Sequence, residues 1–146
     1  TMTFPTTKLV DLNNQSHQLS SLIKKDKLNL VLFYNTNCLG CTGRAIPLAY
    51  KLSQEFSFIS LIVIHSNFRP IPFTSEEVLS VFTDQKSPFE IYREERNELY
   101  TYFNCEGTPH WLLINGEGKV LHSFFGSQDG AQLKLEYAIR EFQESI

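Results

Sequence analysis

Two cysteines two residues apart, in Thr36-Asn37-Cys38-Leu39-Gly40-Cys41, are the residues of this 146-residue chain whose spacing points most directly to chemistry. An apolar run from Leu28 to Tyr34 precedes them, and Ala45, Ile46, Leu48, Ala49, Leu52 and Phe56 follow at helical spacing. The pair is therefore expected at a strand-to-helix junction, where Cys-x-x-Cys signals redox chemistry. Unsatisfied backbone N–H groups and the dipole at a helix N-terminus favour an anion, so the Cys38 thiolate is expected to be stabilised and to act as nucleophile. Cys41, one turn into the helix, is placed to attack a mixed disulfide between Cys38 and a partner and to release the product.

The same spacing also fits a fixed disulfide or half of a structural zinc site. Zinc needs four closed ligands, and only Cys105 with a histidine such as His110 could supply the missing two; the junction favours redox chemistry over both. Cys105 reads as a buried, inert thiol. His65, at the end of an apolar run, reads as a hydrogen-bonded histidine rather than a proton carrier, and Arg44 as a solvent-facing helix residue. The aromatic residues Phe33, Phe56, Phe58, Phe82, Phe103, Trp111 and Phe124 occupy core-periodic positions and need no cofactor to explain them.

The elements that must position the cysteines follow from the same periodicities. Phe58 to His65 reads as a second buried strand, which gives strand–helix–strand and a right-handed parallel crossover. Pro47 is expected to kink the intervening helix. Thr74-Ser75-Glu76-Glu77 supplies N-cap chemistry for a helix to about Phe82, followed by a short strand at Phe89 to Tyr92 and a helix from Glu94 to Phe103. Phe68 to Pro72 reads as an exposed connection. Trp111 to Ile114, the turn Asn115-Gly116-Glu117-Gly118 and Lys119 to Phe125 form an antiparallel hairpin, closed by a helix from Asp129 to about Phe142. The class is α/β, with a central mixed β-sheet flanked by helices, and residues 1–146 are expected to form one domain. A formal charge of −3 without a Lys/Arg cluster argues against nucleic acid as partner. No apolar run approaches the ~18 residues of a membrane span. Thr1 is not a natural initiator, and the chain is expected to derive from a longer precursor.

These features resemble the thioredoxin superfamily, and within it the TlpA/ResA-like thiol–disulfide oxidoreductases. Val31 to Cys41 is similar to that group's active-site segment. Phe4-Pro5, Leu9 to Asn13 and Leu19 to Leu22 look like its N-terminal strands, and Gly107-Thr108-Pro109 ahead of the hairpin is similar to its second signature, in which the proline is cis and lies against the cysteines. The resemblance implies a thioredoxin-like fold with an N-terminal extension and a central αβ insert. It also implies protein disulfides or dithiols as substrates, a redox partner protein and no cofactor. Asn37, Leu39, Gly40, Thr108 and Pro109 would contact the substrate, with the backbone at Thr108 free to pair with an extended partner chain. The group's members suggest a monomeric, bacterial, extracytoplasmic protein, commonly tethered, re-reduced by a membrane electron donor and often serving cytochrome c maturation.

Three departures stand out. Asn37 replaces an aromatic residue, which makes the surface beside Cys38 more polar. Leu32 occupies the place of thioredoxin's buried acid, so no base for the resolving thiol can be named. Pro47 lies one residue farther from the cysteines than the pattern places it, and a local change is expected around Thr42-Gly43-Arg44. Tyr34 to Cys41 does not provide the Pro-x-x-x-Thr-x-x-Cys environment of a peroxiredoxin. A metal-binding or catalytically silent thioredoxin-like adaptor is the alternative function.

Overall fold

Seven residues, Leu28–Tyr34, apolar but for Asn29, form the strand around which the molecule is built, and all seven are buried. The computed structural model describes residues 3–146. In chain order these comprise β1 (Leu9–Val10), β2 (Ser16–His17), α1 (Leu19–Leu22), β3 (Leu28–Tyr34), α2 (Ile46–Glu55), β4 (Ile59–Ser66), α3 (Ser75–Leu79), β5 (Ile91–Glu94), α4 (Glu98–Tyr102), β6 (His110–Ile114), β7 (Val120–Phe125) and α5 (Asp129–Ser145). The strands form one mixed sheet in the order β2-β1-β5-β4-β3-β6-β7. β3, β4 and β5 are parallel, with Tyr34 opposite His65, and the hairpin β6–β7 adds antiparallel to β3.

Alternation along β3 divides its side chains between the two faces. Leu28, Leu30, Leu32 and Tyr34 pack with Cys41, Ala49, Leu135 and Ile139. Val31 and Phe33 pack with Leu9, Leu19, Leu99 and Leu112. Each such aliphatic side chain contributes roughly 1.5–3 kcal/mol on full burial, which holds the C-terminal end of β3 rigidly where the cysteines begin.

The irregularity expected near Pro47 falls in the turn before it. Cys41–Ala45 is a π-turn in which the Ile46 N–H reaches back to Cys41 O, and Pro47 stands in the first turn of α2. A proline at 47 cannot bond Gly43 O and its ring crowds that carbonyl. A π-turn takes in one residue more than an α-turn, so it absorbs both the missing bond and the extra residue between Cys41 and Pro47.

Several boundaries differ from expectation. Leu19–Leu22 is a helical turn, not a strand. The strand expected at Phe89 to Tyr92 is Ile91–Glu94, so Glu94 ends a strand instead of starting a helix. Its buried carboxylate accepts the N–H groups of Leu99 and Tyr100 and caps α4 from the strand before it, at a spacing longer than that of a capping box. α3 ends at Leu79 rather than Phe82, while its start is as expected: Thr74 and Glu77 form a reciprocal capping box.

Gly43 is exposed, its φ is not positive, and nothing lies within 4 Å of the place a Cβ would take. Gly43→Ala should therefore stabilise the fold by about 0.5–1 kcal/mol, read as a raised denaturant midpoint at unchanged m-value.

Candidate active site

Cys38 follows the turn that leaves β3. The Asn35 side chain shapes that turn by accepting the Asn37 N–H at 2.8 Å, and anchors it by donating to Ser66 O at 2.8 Å. From the neighbouring strand, His65 Nε2 accepts the Thr36 N–H at 3.3 Å. The turn is thus bonded to β4 at two places before the helix starts. The Cys41 N–H then donates to Cys38 Sγ at 3.1 Å, which is the helix-terminus contact that favours a thiolate. On its other side the Cys38 thiol donates to Thr108 O at 3.4 Å, and the Thr108–Pro109 peptide bond is cis.

The structure therefore brings together most of the residues singled out in the sequence. Cys38 is half-buried and Cys41 is buried, both as free thiols. Leu39 between them is 88% exposed, and Asn37 is exposed beside them. Gly40 packs so closely on the loop after β7 that a Cβ would stand 2.6 Å from Ser127 Oγ and 4.0 Å from Pro109. Arg44 is exposed and pairs with Asp129 at the start of α5. Cys105 packs with the second cluster, on the sheet face opposite Cys41, and does not complete a ligand set with the cysteine pair. Burial pushes its thiol up to about 12.

A cleft of about 330 Å³ opens next to Cys38, lined by Asn35, Asn37, Thr108, Phe68, Arg69 and Phe73. The last three belong to the connection after β4: Phe68 to Pro72 is exposed as expected, Phe73 is buried, and the connection also forms a wall of the site. Sequence reading missed this because a proline-rich loop with no periodicity carries no sign of what it packs against. Phe73 packs against His65 at a tilt of 56° with ring centroids 4.4 Å apart, and the Arg69 guanidinium lies 3.6 Å from the Phe73 centroid. Buried Arg93 fixes the loop from below, donating to Phe73 O at 2.8 Å and to Asp11 O at 2.7 Å.

The electrostatics separate the two thiols. Burial, reinforced by the neighbouring Cys38, pushes the Cys41 thiol up to about 12. Burial also raises the Tyr34 phenol, with Cys41 contributing. His65, fully buried and close to the Arg69 and Arg93 cations, is lowered to about 4 and is neutral, as its acceptor role toward Thr36 requires.

No family model and no curated protein matches the sequence. Solved structures do match. One is described as a thiol:disulfide interchange protein DsbE from Chlorobium tepidum, at 16% identity over 94% of this chain and 92% of that one, with a TM-score of 0.76. A thiol-disulfide isomerase from Corynebacterium glutamicum matches at 23% identity over 90% of each chain, with a TM-score of 0.69. A secreted disulfide oxidoreductase of Mycobacterium tuberculosis matches at 13% identity over 89% of this chain and 91% of that one, with a TM-score of 0.66. The chain has the thioredoxin-like fold, with the N-terminal strands and central αβ insert expected.

Two outcomes follow from this geometry. In the native protein at pH 8, iodoacetamide should add one label per chain, at Cys38, because Cys41 is buried and both Cys41 and Cys105 hold their protons; peptide mapping by mass identifies the site. Acid should act through His65. The unfolded chain takes up that proton near pH 6.5 and the folded chain only near 4, so stability falls as pH drops through this window, by on the order of 3 kcal/mol. In His65→Gln the pH dependence of the unfolding free energy should lose about one proton between pH 6.5 and 4.

Proposed function

We propose that this protein is a TlpA/ResA-like thiol–disulfide oxidoreductase in which Cys38 is the nucleophile and Cys41 the resolving thiol. The observation that carries the reading is the setting of Cys38: a half-exposed thiol that accepts the Cys41 N–H at a helix start and faces Thr108 O. The solved structures with this fold bear names of disulfide interchange, isomerase and oxidoreductase proteins, which supports the same chemistry.

The exchange runs in two displacements. The Cys38 thiolate attacks one sulfur of a partner disulfide; a Cys38–partner S–S bond forms, and the partner's other sulfur leaves as a thiolate that takes up a proton. Cys41 then gives up its proton and attacks Cys38 Sγ, closing the Cys38–Cys41 disulfide and releasing the partner's second thiolate. Two electrons pass from the cysteine pair to the partner, and the reverse sequence oxidises a dithiol. Leu39, Gly40, Asn37 and the backbone at Thr108-Pro109 hold the partner chain alongside Cys38. Because Cys41 keeps its proton so strongly, its deprotonation belongs to the mixed-disulfide state, when Cys38 no longer carries the negative charge.

Partners are other proteins, and a second redox protein restores the pair after each cycle. An extracytoplasmic place of action is supported by the secreted oxidoreductase above and by an exposed lipoprotein thioredoxin of Streptococcus pneumoniae that shares the fold.

Equilibration in glutathione buffers, with thiols alkylated and counted by mass, should show a reversible two-electron couple that Cys38→Ser abolishes. Its midpoint, within the superfamily span of about −270 to −120 mV, decides between reductant and oxidant. Cys41→Ser should accumulate a Cys38–partner mixed disulfide. Thiols that never form a Cys38–Cys41 disulfide would instead establish the silent-adaptor reading.

A further inference from the structure

Arg69 alone among the residues lining the Cys38 cleft carries a positive charge. Its guanidinium is held in place before any partner arrives. Nε donates to Ile71 O at 3.0 Å, and Nη2 donates to Pro72 O at 3.2 Å and to Glu77 Oε1 at 2.7 Å. Its face rests on Phe73. These bonds occupy the Nε hydrogen and both Nη2 hydrogens, so the two Nη1 hydrogens have no acceptor among the described residues. The side chain is 37% exposed, so these donors remain within reach of solvent and of a docked chain.

Resting on the oxidoreductase reading above, we propose that Arg69 is a specificity-determining residue that selects partner proteins carrying an acidic side chain beside the reactive cysteine. The two free Nη1 hydrogens diverge from one nitrogen, and either can give a carboxylate oxygen a charge-assisted hydrogen bond. Immobilisation by Phe73, the loop carbonyls and Glu77 removes most of the entropy that a free arginine would lose on pairing. Glu77 offsets part of the charge but takes a single Nη2 hydrogen. The chain's net charge of −3 opposes an acidic partner only at long range, and fields beyond ~8 Å are largely screened at physiological ionic strength. Contact at Arg69 therefore decides the preference.

The test uses the reduced full chain and short peptides whose single cysteine is blocked as a 2-pyridyl disulfide, with Glu, Gln or Lys directly beside it. The Cys38 thiolate attacks the peptide sulfur, the peptide–pyridyl S–S bond breaks, and 2-thiopyridone leaves with the electron pair, giving an absorbance readout; Cys41 then displaces the peptide thiol. The Glu peptide should react about two- to fivefold faster than the Gln peptide, as for an exposed ion pair, with the Lys peptide slowest. The Glu/Gln ratio should fall toward one at about 1 M salt and in Arg69→Met. It should rise in Glu77→Gln, which keeps the capping box while removing the competing carboxylate. Equal rates for Glu and Gln peptides, a preference that survives Arg69→Met, or a ratio that does not rise in Glu77→Gln would overturn the assignment of Arg69. Exchange with none of the peptides would overturn the oxidoreductase reading itself.

Discussion

One short contact, the Cys41 N–H directed at Cys38 Sγ, sets what the rest of the architecture has to supply. A backbone amide can stabilise a sulfur anion only if the strand before it and the turn that leads into the helix are both immobile, because the interaction weakens steeply with distance and angle. Burial of β3 on both faces provides the first condition. The Asn35 side chain and the His65 ring provide the second, by pinning the intervening turn to β4. A helix start held in this way keeps the Cys41 N–H fixed on Cys38 Sγ without rearrangement.

The asymmetry between the two thiols has the same origin. Both lie at one helix terminus, yet Cys38 meets solvent while Cys41 faces the core beside Leu32, Ala45 and Tyr34. Leu32 adds further apolar surface, so the Cys41 thiol sits in a strongly protonating environment. Burial thus distinguishes the two thiols, leaving Cys38 in reach of solvent and holding the proton on Cys41. The π-turn belongs to the same economy of design: it lets Pro47 and one additional residue enter the helix without moving the turn that holds the cysteines.

The insert between β4 and β5 gives the site its individuality. Arg93 reaches from β5 to tie Phe73 and the N-terminal segment at Asp11 together, so the loop that carries Phe68 and Arg69 is braced although it lacks regular structure. Phe73 then passes this rigidity in two directions, to His65 beneath it and to Arg69 above it. The residues that border Cys38 on this side are therefore part of the same packed assembly that shapes the Cys38 turn, and the cleft is preformed.

The sequence by itself determined the parts whose physics is local. The limits of β3, the crossover to β4, the hairpin, the Thr74 capping box and the pairing of Cys38 with Cys41 are legible because apolar periodicity, cap chemistry and cysteine spacing act over a few residues. The Gly107-Thr108-Pro109 signature was readable through resemblance, and the disturbance near Pro47 from a spacing one residue too long. Tertiary structure alone decided the rest. The spacing from Glu94 to Leu99 and Tyr100 is longer than that of a capping box and does not show that its carboxylate caps a helix across a turn, and nothing near Phe68, Arg69 and Phe73 places them beside Cys38, some thirty residues earlier. Contacts between segments depend on register, loop path and what each surface finds opposite it, and a chain read residue by residue carries no local pattern for these.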